Sequence, residues 1–145
     1  MTRSARWLIV SAVLNALVLT TILMDDNAAG RVGYHSYGLT VFDRKPFPIV
    51  DLLVDIDGRA HVRPSKSRTL SVEEVLAFLG PDKQRWPDML FIGTGYRTTM
   101  GVDGSVYKKL PGVNIIVDST PGAAAAYNFH RNGNWKLALI LHSTG

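Results

Sequence analysis

The apolar run Met89 to Ile92 ends on Gly93-Thr94-Gly95, and Arg97 stands two residues beyond. A glycine turn after a strand can aim backbone N–H groups at an anion, and a nearby arginine can add a bidentate partner. Open α/β sheets place ligands beyond the carboxyl ends of their parallel strands. The same edge gathers Ser119 and Thr120, at the start of a later helix whose N-terminus favours negative charge. Gly93, Thr94, Gly95, Arg97, Thr120 and Asn128 therefore form the candidate crevice, suited to an anion, a small molecule or a partner's carboxylate. A dinucleotide fingerprint needs a third glycine three residues on and an immediate helix, but position 98 is Thr and a loop follows. The Walker pattern is absent as well. The plain alternative is that the glycines let two backbones pack closely at a tight turn.

Other chemistry is thinly represented. His35, His61, His130 and His142 do not pair at helical metal spacing, and none belongs to a His-x-His element. Asp51, Asp55 and Asp57 alternate with a period of two, which places them on one face of a strand, expected to face solvent. No Ser sits in a nucleophile-elbow pattern. The chain has no cysteine, which excludes disulfides, thiolate metal sites and a cysteine nucleophile. No catalytic, cofactor-binding or metal-binding residue is assigned. Net charge is +4. That is too mild to argue for nucleic acid, and Arg59, Arg63, Lys66 and Arg68 read as a solvated hairpin and loop.

The elements that must hold these residues suit an α/β sheet. In 145 residues there is room for one domain with a substantial core. Tyr34 to Phe42 reads as a strand broken near Gly38, Asp43 to Pro48 as a turn, and Ile49 to Ile56 as a strand. Asp57-Gly58 is a hairpin signal leading back through Arg59 to Val62. Ser71 and Glu74 make a capping box for a helix over Val72–Leu79, which Gly80-Pro81 stops. Met89–Ile92 and Val113–Asp118 read as buried strands joined by a crossover long enough for a parallel pair. Thr120 as N-cap and Pro121 at the first helical position open a helix to about Arg131. Asn132-Gly133-Asn134 is a tight turn, so Trp135–Leu141 is expected to run antiparallel or to return across the sheet. The fold class is a three-layer α/β domain with a central mixed sheet.

The N-terminal end differs in character. Trp7 to Met24 carries no charge: Trp7, Leu8, Ile9, Val10, Val13, Leu14, Leu17, Val18, Leu19, Ile22, Leu23 and Met24 are its large apolar residues, with Asn15 near the middle. As a helix it would be roughly 27 Å long, near the thickness of a bilayer's hydrocarbon core. The residues after it match a signal-peptidase site poorly, and the stretch is too uniformly apolar for a mitochondrial presequence. The expected organisation is a single-pass membrane anchor over residues 1–27, a linker over 28–33 and the α/β domain over 34–145. Arg3 and Arg6 before the span, with Asp25 and Asp26 after it, place the N-terminus in the cytoplasm. The domain would then be periplasmic on a bacterial inner membrane, or sit at the mitochondrial inner membrane.

Leu90-Phe91-Ile92-Gly93-Thr94-Gly95, Gly112-Val113, Thr120 with the alanine run and Tyr127-Asn128, and Leu137 to His142 occur in the order and spacing of one family. From Tyr34 onward the chain resembles the small α/β domain of mitochondrial complex I assembly factor 3 and its uncharacterised bacterial and archaeal relatives. The likeness is strongest after Pro87. The resemblance implies a three-layer fold with helices on one side of a mixed sheet, no established catalytic residues and no cofactor. It also implies a role as an accessory or assembly subunit docked on a respiratory or photosynthetic membrane complex. An N-terminal span departs from that family. The alternative function is anion or small-molecule binding in the crevice after Gly95.

Overall fold

The structure, a computed structural model, describes residues 2–23 and 29–145, with side chains for 2–18 and 29–145. Helix α1 covers Arg3–Leu23. Three short antiparallel strands follow: β1 (Val32–Ser36), β2 (Leu39–Phe42) and β3 (Lys45–Pro48). The expected turn at Asp43–Pro48 is in fact a hairpin and its return strand. Asp43 and Arg44 both have positive φ, the geometry of a two-residue hairpin loop. Proline is tolerated in β3 because β3 is an edge.

The main sheet has the order β5-β4-β10-β7-β9: Ala60–Val62, Leu52–Val54, Leu137–Leu141, Met89–Gly93 and Asn114–Asp118. β10 is the central strand. β7 lies between β10 and β9 and is parallel to both. β4 and β5 form the antiparallel hairpin turned by Asp57-Gly58. The tight turn before β10 does not force it antiparallel, because α4 (Thr120–His130) is itself the crossover that carries the chain back over β7. A small parallel pair, β6 (Thr69–Leu70) with β8 (Gly101–Val102), and the short helix α3 (Ser105–Lys109) complete the domain.

Alternation along the central strands builds two cores. Leu90, Ile92, Ala138, Ile140 and Leu53 point to one face and meet Val72 and Val75 of α2 (Val72–Leu79) and Val106 of α3. Phe91, Leu137, Leu139, Leu141, Leu52 and Val54 point to the other, against Ala123, Ala124 and Tyr127 of α4 and Val32 and Phe42 of the small sheet. Helices therefore cover both faces, not one. Period-two strands buried on both sides read as continuous apolar runs for this reason. The capping box of α2 is formed as expected, Ser71 Oγ accepting from the Glu74 amide and Glu74 Oε2 from the Ser71 amide. In α4 the cap is Ser119 rather than Thr120, its Oγ accepting from the Gly122 amide.

The membrane span is not supported. Among the described residues no helix is long and apolar enough to cross a membrane. Within residues 3–18, Arg3, Arg6, Ser11 and Asn15 leave fewer consecutive apolar residues than the roughly 20 a span needs. The single-pass anchor over Trp7–Met24 falls with it, as do the cytoplasmic N-terminus and the bacterial or mitochondrial inner-membrane location. Met24 and Ala28, with the side chains of Leu19, Ile22 and Leu23, lie outside what is described.

Candidate functional site

The strand ends do bring together most of the expected crevice. Gly93, Thr94 and Gly95 are buried where β7 stops, and Thr120 is buried beside them at the head of α4. Their hydrogen-bonding groups face inward. The Thr94 amide donates to Asp118 O at 2.9 Å and the Gly95 amide to Thr120 Oγ1 at 3.0 Å. Thr120 Oγ1 in turn donates to His142 O at 2.7 Å, and the Arg97 amide donates to Gly145 O at 2.5 Å. The segment His142–Gly145 thus lies along the crevice. A Cβ on Gly95, where φ is +106, would sit 2.3 Å from Gly145 O and 2.4 Å from Thr144 O. On Gly93 it would meet Leu141 Cδ2 at 2.7 Å and the Thr120 Cα at 2.9 Å. Close backbone approach accounts for Gly95, and the Leu141 side chain together with Thr120 for Gly93. Arg97 is exposed. Asn128 is elsewhere: its amide clamps the backbone of β1, accepting from Val32 N at 2.9 Å and donating to Val32 O at 2.7 Å.

A second polar centre forms on the other side of His142–Gly145. The hairpin register that pairs Leu52 with Val62 sets Asp51 beside Arg63. The Arg63 side chain is 1% exposed, and its guanidinium is fully engaged. Nε and Nη2 fork onto Glu74 at 2.9 and 3.0 Å, and Nη1 donates to Asp51 Oδ2 at 3.0 Å. Asp51 also accepts from His142 Nδ1 at 2.9 Å and from the Ser143 amide at 3.0 Å. Burial alone would raise the Asp51 pKa, but the Ser143 amide, His142 and Arg63 outweigh it and hold the carboxyl below its ordinary value. Glu74 is likewise held low, burial being outweighed first by Arg63 and then by the Ser71 amide. Arg63 is pushed up by the same two carboxylates against the opposing effect of burial. With Nδ1–H committed to Asp51, His142 is held in one orientation.

Asp51, His142 and Arg63 border a concavity of about 330 Å³ with Ile49, Val50, Val62, Ser65 and Lys66. Ile49 is the unusual member. It is 80% exposed, and its φ of 57° lies in the left-handed region that β-branched residues avoid. Its amide donates to Gly38 O, and the Gly38 amide to Ser143 O, both at 2.7 Å, which ties it to the C-terminal segment.

The three aspartates do not form one solvent face. Asp51 is in this network, Asp55 accepts the Asp57 and Arg59 amides at the hairpin turn, and Asp57 pairs with Arg85. His35 meets Tyr96 Oη at 3.0 Å, His61 meets Asp55 at 2.8 Å, and His130 Nδ1 donates to Ala126 O. Burial pushes the His35 pKa down and the Tyr96 pKa up. Among the described residues no group of three or more His, Cys, Asp or Glu could hold a metal ion. Arg63, Glu74 and His142 are not singled out as a unit by sequence. The hairpin signal at Asp57-Gly58 carries the one available clue, since it sets residue 51 against residue 63.

No protein-family profile matches the chain, and no curated protein matches it. Solved structures do. The conserved hypothetical protein PH1505 from Pyrococcus horikoshii OT3 superposes with a TM-score of 0.68 at 22% identity, over 79% of this chain and 99% of that one. MT938 gives 0.67 at 20% identity, over 79% and 98%. A Bordetella pertussis protein, described as a Mth938-like domain, gives 0.62 at 14% identity, over 81% and 88%. The α/β domain therefore has the fold of the small Mth938-like α/β proteins.

Proposed function

We propose that this chain is a non-catalytic accessory or assembly subunit that docks on a larger energy-transducing complex, respiratory or photosynthetic. One observation carries the reading. Along α1, Trp7, Leu8, Ile9, Val10, Val13, Leu14 and Val18 are each more than half exposed. They project all round the helix instead of forming one stripe against the domain. A helix apolar on every side is normally buried in something. Arg3 and Arg6 add positive charge at its start, so the complementary surface is an apolar groove with acidic groups at one end. The resemblance of residues 34–145 to complex I assembly factor 3 supports the same role.

The test is native electrophoresis of a tagged full-length chain extracted in mild detergent from its own host. Co-migration with a respiratory or photosynthetic complex is expected. Leu8→Glu combined with Leu14→Glu should release the chain while its α/β domain keeps its melting temperature. Migration of the unaltered chain alone, at its monomer mass, would overturn the proposal.

A further inference from the structure

A different part of the molecule carries a second reading, independent of docking. The concavity beside Asp51 combines three features. It is roomy, at about 330 Å³. Its rim residue Ile49 holds a left-handed backbone with its side chain in solvent, and strain of that kind is retained where the surroundings enforce it, commonly at ligand clamps. Its polar groups are sorted by availability. The Arg63 guanidinium is consumed by Glu74 and Asp51, and Asp51 by Arg63, His142 and the Ser143 amide. Lys66 is exposed at the mouth, and among the described residues no carboxylate lies within ion-pair distance of it. Ser65 Oγ accepts the Ser67 amide at 3.1 Å, which leaves its hydroxyl proton to donate.

We propose that this concavity binds a small organic monocarboxylate. The carboxylate would be held by the Lys66 ammonium and the Ser65 hydroxyl. Its compact alkyl body would lie on Val50 and Val62 under Ile49. One available cation stands at the mouth, which matches a single negative charge. Apolar walls with a few placed polar groups are the usual make-up of a small-molecule site.

The experiment titrates the purified full-length chain with butyrate and follows backbone amide resonances. Saturable shifts centred on Ile49, Val62 and Lys66 are expected. Lys66→Ala should weaken binding about tenfold, the usual worth of a charge-assisted hydrogen bond. Butyramide, which has the same shape without the charge, should bind about tenfold more weakly as well. Ile49→Gly, which removes the strain and the apolar rim together, should raise the dissociation constant several-fold. Lys108→Ala, on α3, should leave binding unchanged. Three results would overturn the proposal: no saturable shift with butyrate at tens of millimolar, equal binding of butyramide, or unchanged binding by Lys66→Ala. None of these bears on the docking of α1.

Discussion

The crevice after β7 and the basin beside β4 share one boundary, the segment His142–Gly145, and use it in opposite ways. In the crevice the segment supplies main-chain carbonyls that take up hydrogen bonds from the Arg97 amide and the Thr120 hydroxyl. With the Gly95 amide given to Thr120 and the Thr94 amide to Asp118, the glycine turn has its N–H groups spent on its own fold. In the basin the same segment is held by charge, through Asp51 on His142 and the Ser143 amide. That arrangement satisfies the buried groups and still leaves Lys66 and Ser65 at the surface. A glycine-rich strand end is thus only a ligand loop if its donors are unclaimed, and neighbouring chain can claim them.

Breaking each side separately sharpens the contrast. The largest effect is expected from Arg63→Ala, which strips the partner from Asp51 and Glu74. Losing one member of a buried ion pair costs about 3–5 kcal/mol, and the partly wet carboxylates place this case near 3 kcal/mol. Urea unfolding should show it. Gly95→Ala should cost on the order of 2 kcal/mol, because the new Cβ meets two carbonyl oxygens at a positive φ. Hydrogen exchange in that variant should rise at Arg97 and not at Arg63.

The smallest expected effect is on pH dependence, and it belongs to the basin alone. Asp51 and Glu74 have folded-state pKa values below their ordinary ones. Their contribution is fully present above the unfolded carboxylate range of about 4 and is lost as pH falls through the depressed folded values. Stability of the unaltered chain should therefore drop below about pH 4, and Asp51→Asn should flatten that drop. Gly95→Ala should keep the same acid slope as the unaltered chain. An equal change of slope in both variants would show that the two regions are not energetically distinct.

Much of the local structure is legible in the residues. Ser71 and Glu74 specify a helix start that the structure reproduces, because both capping partners lie within one turn. Asp57-Gly58 specifies its hairpin for a similar reason. The Asp43-Arg44 hairpin loop is not legible, because neither residue is glycine although both have positive φ. The apolar stretch at the start is legible as a helix, but among the described residues no helix is long and apolar enough to cross a membrane.

By itself, then, the sequence determined the α/β class, the strands buried on both faces and the capped helix α2, since each rests on neighbours within a few positions. Only the tertiary structure decided which strand is central, that helices cover both faces, and that His142–Gly145 lies along the Gly93–Arg97 crevice. It also decided that Asp51, Arg63, Glu74 and His142 meet. Asp51 and His142 stand 91 positions apart. No periodicity or local propensity links residues so distant, and contact between them exists only once the sheet order brings β10 beside β4.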